Sequence, residues 1–423
     1  GIEIRQAGSD DNRIFGNRIG IGANNAIFTP LMGSGISQSA GSGSVIGNAG
    51  NGKNWIAALV GISLGAANTM DNIQVNGNWI GLDGTGTLAC NGSGGILIVA
   101  SDDADLKKVT VEDNKIAGHA INLLVLDGGG LGEVVLRSNE IGLAFTGSGQ
   151  PPSGMTKGTQ EYGMRLDGPM DARVTENVVA AHNYNLLLSG ILQIYVFGGV
   201  DTDGDGEPDS NFSVSITNPD DSEQPDAGDP VAEKVAIKNN HVGVDRLNRL
   251  PANSPEQLVG IANFGGARGT EIDGNTIGGH SQVGLWIESG REITADLNHI
   301  GVSSGGLPLP NGAGIKIGEA LVSLNDNTVA QNANIGILID DLDNAVKILG
   351  GSYYKNGTGA AALGISYEAG YENPLEDLFV FRSNIDANTG MVDVTFAIPA
   401  LLDEDSNENN LETTLEIWGN RNN

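Results

Sequence analysis

The sequence predicts an all-β solenoid, a parallel β-helix, on three observations. Short β-branched runs bounded by Gly and Asn recur from end to end. Helix formers never gather into a sustained amphipathic stripe. The runs also return at a fixed interval, which marks a coil whose turns bury their faces only against neighbours.

The interval is set by an Asn that follows one strand and precedes the next, as in "FGNRIG", "NGNWIG", "EDNKIA", "RSNEIG" and "DGNTIG". The anchors are Asn17, Asn54, Asn78, Asn114, Asn139, Asn177, Asn240, Asn275, Asn298 and Asn327. Close spacings are 24 (54 to 78) and 25 (114 to 139). A second rhythm of about 60 lies on the first: 17 to 78 and 78 to 139 are both 61, and 240 to 298 is 58. Long and short rungs therefore alternate. After the long-rung anchors Asn17, Asn78, Asn139, Asn240 and Asn298, Ile-Gly or Val-Gly opens a polar tongue such as "IGLDGTGTLACNGSGG". The short rungs read "NxIA" or similar and turn back at once. Two rungs span about 9.6 Å, so the tongues are expected on one edge, outside the wall and with no need to pack. The anchor Asn is expected to take the left-handed corner conformation and to stack in a ladder that holds register.

Composition agrees. Gly is 64 of 423 residues, about twice its usual share. Aromatics are 5%, leaving Ile, Val, Leu and Ala to fill the core. The net charge of −30 disfavours nucleic acid and anionic lipid as partners. The single cysteine excludes an intrachain disulfide framework, and no apolar run reaches the roughly 18 residues of a membrane span.

The alternation of "NxIG…DGTGT…NGSGGILI" rungs with shorter "NxIA" rungs resembles the β-helix repeats of large secreted and cell-surface bacterial proteins, over residues 1 to 366. The wider group it resembles is the pectin-lyase-like superfamily. The resemblance implies a right-handed coil, an extracellular or cell-surface setting in bacteria, and no single activity. The tail resembles the strand-rich segment that follows such repeats. The expected domains are a β-helix over 1–370, an acidic insertion over 198–233 and a β-strand cap over 371–423, with "VDVTFAI" and "TTLEIW" as cap strands.

The sharpest local motif is "DTDGDGEPDS". Asp201, Asp203, Asp205 and Asp209 alternate around Gly206, as hard-oxygen calcium loops do. Phe212 stands where an EF-hand would place its bidentate Glu, so the expectation is a short structural calcium loop. Between Asp201 and Glu233, 11 of 33 residues are acidic, within an excursion long enough to be functional or disordered.

His119, His182 and His280 each fall five positions after a short-rung anchor, a place Asn332 also takes. Equivalent residues two rungs apart are too distant to share a metal, so a hydrogen-bonding column is expected. Polygalacturonase-type hydrolases carry Gly-His-Gly and Arg-Ile-Lys. Here "GGHSQVG" and "GIKIG" match only in part, leaving Asp273, His280 and Lys316 as the catalytic alternative of a carbohydrate-active enzyme. The expected function is a non-catalytic, calcium-stabilised rod displaying loops for adhesion, matrix formation or self-assembly. A glycan is a candidate ligand. Self-association is expected through a first rung that the sequence enters directly on a strand, with no preceding cap.

Overall fold

The computed structural model describes residues 1–189 and 235–357 apart from short stretches at 30, 32, 49, 51, 66–68, 101–105, 156–159, 169, 253–255, 265–268 and 340–345. Beyond these it describes only the strands Val196–Phe197, Phe212–Ser213, Ile365–Tyr367, Arg382–Ile385 and Val392–Thr395. The calcium-loop aspartates Asp201, Asp203, Asp205 and Asp209 lie outside the described residues. The chain divides into two units, Gly1–Glu368 and Ala369–Asn423. In the second, Arg382–Ile385 pairs antiparallel with Val392–Thr395; "TTLEIW" lies outside the described residues.

The first unit is a parallel β-helix. Each rung lays one strand into each of three parallel rows, and each strand pairs with its counterpart in the rungs before and after. One coil shows the plan. Leu106–Glu112 lies in the second row, Lys115–Ile116 in the third and His119–Asp127 in the first, before Leu131–Arg137 re-enters the second. Leu106–Glu112 and Leu131–Arg137 pair in register, Val109 opposite Val134 and Val111 opposite Leu136.

Side-chain alternation along each strand sends one set inward. The inward columns are the β-branched and Leu positions that the periodicity marks. Ile56, Ile80, Ile116 and Ile141 stack in the third row, Ile62, Ile96 and Leu123 in the first, Val75, Val111 and Leu136 in the second. All are fully buried in one continuous core. A rigid solenoid follows, because every rung's apolar face is covered only by its neighbours.

The Gly/Ala alternation has a steric cause. Gly81 and Gly142 open tongues with φ of +94° and +89°. A Cβ on either would stand 1.8 Å from the carbonyl oxygen of Ala117 or 1.9 Å from that of Ala180, on the short rung above. The long rung is thus confined to Gly where the short rung carries Ala.

Two expectations are corrected. The left-handed residue at the corner is the one before the anchor, not the anchor itself. Gly77, Asp113, Ser138, Glu176, Asn239, Gly274, Leu297 and Asp326 hold φ between +47° and +64°, while no anchor Asn has positive φ. The anchor is left free to present its amide inward. The tongues, moreover, do pack. Ile21, Ile27 and Leu31 close on Ala57, Cys90 and Trp55, and Leu82, Ala89, Phe145 and Met155 close on Ala117 and Trp79. The first three tongues thus carry small apolar bases onto the third row.

Candidate functional site

The described residues offer three places where polar chemistry is organised: two columns inside the corners and the edge built by the tongues.

The first column is the anchor ladder. Asn78 Nδ2 donates to Asn114 Oδ1 at 3.0 Å, Asn114 to Asn139 at 3.1 Å, and Asn139 to Asn177 at 3.0 Å. The chain of contacts runs without a gap from Asn17 and Asn54 through Asn240, Asn275 and Asn298 to Asn327. From Asn54 onward each amide also donates to a main-chain carbonyl of the preceding coil, for example Asn139 to Val111 at 2.9 Å. From Asn54 onward these side chains are buried and their donors are satisfied, which buried amides require. Gly351 follows Asn327 in the column and ends the ladder.

The second column lies at the corner from which the tongues leave. Asn122 Nδ2 meets His182 Nε2 at 2.6 Å, His182 Nδ1 meets Asn185 Oδ1 at 3.2 Å, and Asn185 Nδ2 meets His280 Nε2 at 2.8 Å. His280 Nδ1 then meets Asn311 Oδ1 at 2.8 Å, and Asn311, Asn332 and Asn356 continue as a ladder. Between the histidines stand Gln160, donating to Gly142 and Ala181 carbonyls, and Gln257, donating to Gly243 and Gly279. Burial depresses the pKa of His119 to about 4, of His182 to about 3 and of His280 to about 4, so all three are neutral at pH 7. Cys90 Sγ lies 3.6 Å from His119 Nε2, and burial pushes its thiol up to about 12, which leaves it unreactive.

The catalytic alternative is not assembled. His280 is buried with both ring nitrogens occupied by amides. Asp273 stands in the second row beside Lys238 at 3.9 Å. Lys316 stands in the first row, its Nζ 4.6 Å from the Trp286 ring centroid. Among the described residues no three His, Cys, Asp or Glu side chains gather to hold a metal, and no helix is long and apolar enough to cross a membrane.

The third place is the tongue edge. Asp83 Oδ1 accepts from the Thr87 and Leu88 N–H groups, and Asp245 Oδ1 from those of Leu247 and Arg249. Ser303 Oγ does the same for Leu307 N–H, so one side-chain-capped turn shapes three tongues. At Asp83 burial raises the pKa, but these N–H groups and the Thr85 hydroxyl outweigh it and leave the carboxyl below its ordinary value. The first four tongues touch in succession. Gly84 N–H donates to Asn25 O at 2.8 Å, Phe145 N–H to Gly86 O at 2.9 Å, and Gly149 lies against Asp245 and Arg249. Tongue residues carry much of the exposed apolar surface: Phe28 at 60% exposure, Leu247 at 67%, Leu307 at 57%, with Leu88 and Leu250 beside them.

Sequence reasoning missed Asn122, Asn185, Gln160, Gln257 and Asn311. An H-x-x-N pair was visible twice, in "HAIN" and "HNYN".

The strand pairing makes the chain a parallel β-helix repeat protein. No family model matches it, and no curated protein does. Among solved structures it is similar to the Dettilon tailspike protein gp208, at 12% identity over 76% of this chain with a TM-score of 0.37. It is also similar to PfbA, a surface adhesin of Streptococcus pneumoniae, at 13% identity over 93% of this chain and 84% of that one, with a TM-score of 0.28. The chain spans 57% of the tailspike chain's length. At these levels neither neighbour says what this chain binds or does.

Proposed function

We propose that the protein is a non-catalytic extracellular or cell-surface module of a bacterium, a rigid rod whose stacked tongues form an adhesive edge. The observation that carries this reading is the edge itself. The first three tongues are joined by main-chain hydrogen bonds, and the tongues present Phe28, Leu88, Leu247, Leu250 and Leu307 to solvent. Loops fixed on a rigid scaffold with clustered apolar tips are suited to partner binding, and exposed apolar groups arranged along one edge are seldom idle. In the same reading calcium binds Asp201, Asp203, Asp205 and Asp209 and orders the insertion; the support is their alternation around Gly206.

The test compares adhesion of the intact chain with that of a Phe28→Ser, Leu247→Ser, Leu307→Ser variant, on glycan arrays and on matrix-protein surfaces. The variant should keep its strand content and lose retention on the surface that the parent binds. Turnover of an acidic polysaccharide by the parent would overturn the reading. For calcium, the ion should protect residues 198–233 from proteolysis, and Asp203→Ala should remove that protection.

A further inference from the structure

We propose that the first three tongues flank a binding site for an acidic sugar, built on Trp55 and Trp79; this rests on the reading of the tongue edge as the binding edge. The outward column of the third row reads Arg18, Trp55, Trp79, Lys115 on four successive rungs in register. At about 4.8 Å per rung these form one short strip along the rod. The two indoles lie 4.3 Å apart between ring centroids and are partly exposed. Trp55 packs against the cluster of Ile21, Ala57 and Cys90, and Trp79 against that of Leu82, Ala89, Ala117 and Phe145, its ring centroid 5.3 Å from that of Phe145. Opposite the tongues stands Lys53, its Nζ 3.9 Å from the Trp79 centroid and 5.7 Å from that of Trp55. Lys115 Nζ lies 5.8 Å from Trp79.

The charge arrangement points to the ligand. Of 22 basic residues against 52 acidic ones, Lys53 and Lys115 bring their Nζ atoms within 6 Å of this indole pair, and Arg18 stands one rung before it in the same column. Lys53 makes no ion pair among the described residues. Arg18 donates to Gly22 O at 3.1 Å and Asn25 Oδ1 at 2.7 Å, neither a carboxylate. Only Lys115 is neutralised, by Glu140 at 3.2 Å, at the far end of the strip. Bracing an indole needs one cation; two at the indoles, only one of them paired with a carboxylate, and Arg18 beside them on the strip provide for an anion as well. A bare anion would leave the indole faces unused, and a neutral sugar would leave the cations unused. A ring with an apolar face and one carboxylate uses both. The protein's overall −30 does not oppose this, because remote carboxylates are screened beyond a Debye length of about 8 Å, while a long polyanion would meet them along the rod.

The test titrates the full chain with N-acetylneuraminic acid, glucuronic acid and, as the neutral control, glucose, read by saturation-transfer NMR and tryptophan fluorescence. At least one acidic sugar should bind saturably and glucose should not. Lys53→Gln, at a surface position that leaves the fold intact, should weaken binding by about fivefold or more, the range of a cation at a partly exposed aromatic site. Trp55→Phe should weaken it too, and Lys107→Gln, on the second row, should not. An equal response to glucose, no response to either acid, or a Lys53→Gln variant indistinguishable from Lys107→Gln would each overturn the site. The tongue-tip variant separates the two proposals: it should lose surface adhesion yet still bind the free acidic sugar.

Discussion

At the corner between the second and third rows every rung from Asn17 to Asn327 presents the same residue, whereas at the corner before the first row the residue types alternate. Cys90, His119, Gln160, His182, Gln257 and His280 come in succession there before Asn311, Asn332 and Asn356 settle into a ladder. The difference follows from the chain path. No tongue leaves at the first corner, so an amide reaches its equivalent one rung away and Asn suffices. At the second corner a tongue departs on every long rung, and the space it opens is bridged by longer groups. Imidazoles and the Asn three residues on span two rungs, as Asn122 does to His182, 60 residues away. Where the tongue returns an Asn at its base, as at Asn311, one-rung steps resume. A repeat that stays regular can use one residue type throughout. A repeat that is interrupted must improvise, and only the second column carries titratable groups.

The largest expected effect breaks the regular column. Asn139→Ala removes the acceptor for the Asn114 N–H and Nδ2 and the donor to Val111 and Asn177. Leaving buried donors unmet costs about 1–3 kcal/mol each, so the variant should lose about 3 kcal/mol or more. Urea denaturation checks the loss, and hydrogen exchange should show it centred on the rungs either side of residue 139. A variant as stable as the parent would show that the ladder only accompanies register and does not hold it.

The second prediction concerns pH and belongs to the irregular column. His119, His182 and His280 have folded pKa values of about 4, 3 and 4, below the ordinary 6.5, so the unfolded chain binds more protons between those limits. Their contribution is complete above pH 6.5 and is lost as pH falls toward 4, at about 1.4 kcal/mol per pH unit for each histidine. Asp167, raised to about 6 by burial against the pull of Arg165, acts the other way over part of the range. Three groups against one leave the acid loss dominant. Denaturation at pH 7 and pH 4.5 should show it, and His182→Asn should reduce it, since Asn332 already fills the equivalent place.

What was legible in the sequence follows the same division. The ten anchors, the solenoid and the two-rung period could be read because each anchor has a fixed place relative to its strands. Gln160 and Gln257 could not, because they follow tongues of unequal length. Gln160 caps a carbonyl 18 residues back and Gln257 one 14 residues back, so no spacing reveals them. The apolar bases of the tongues were hidden for a related reason. Ile27, Leu31, Phe145 and Met155 fall in runs of one to three apolar residues between Gly, Pro, Thr, Ser and Asn, with no alternating pattern to mark them. The tongue edge was legible as a position and not as a surface.

The smallest expected effect sharpens the regular corner by improving it. The place before every anchor but Asn54 is left-handed, and the chain fills it with Gly16, Gly77 and Gly274, with Asn239, with Asp113 and Asp326, and with Ser138 and Glu176. Leu297 holds the same place at φ +52°, 53% exposed and outside the core. A left-handed residue with a Cβ costs about 1–2 kcal/mol, and Leu has no side-chain amide to recover part of it. Leu297→Asn should therefore stabilise the protein by about 1 kcal/mol, with the Asn298 to Asn327 contact unchanged, and Leu297→Gly by somewhat less because the unfolded chain gains freedom. Thermal or urea unfolding of the two variants beside the parent measures it. A loss in both would mean that Leu297 makes a contribution its exposure does not reveal, and that the corner's demand for a left-handed residue is weaker than the ladder's demand for Asn.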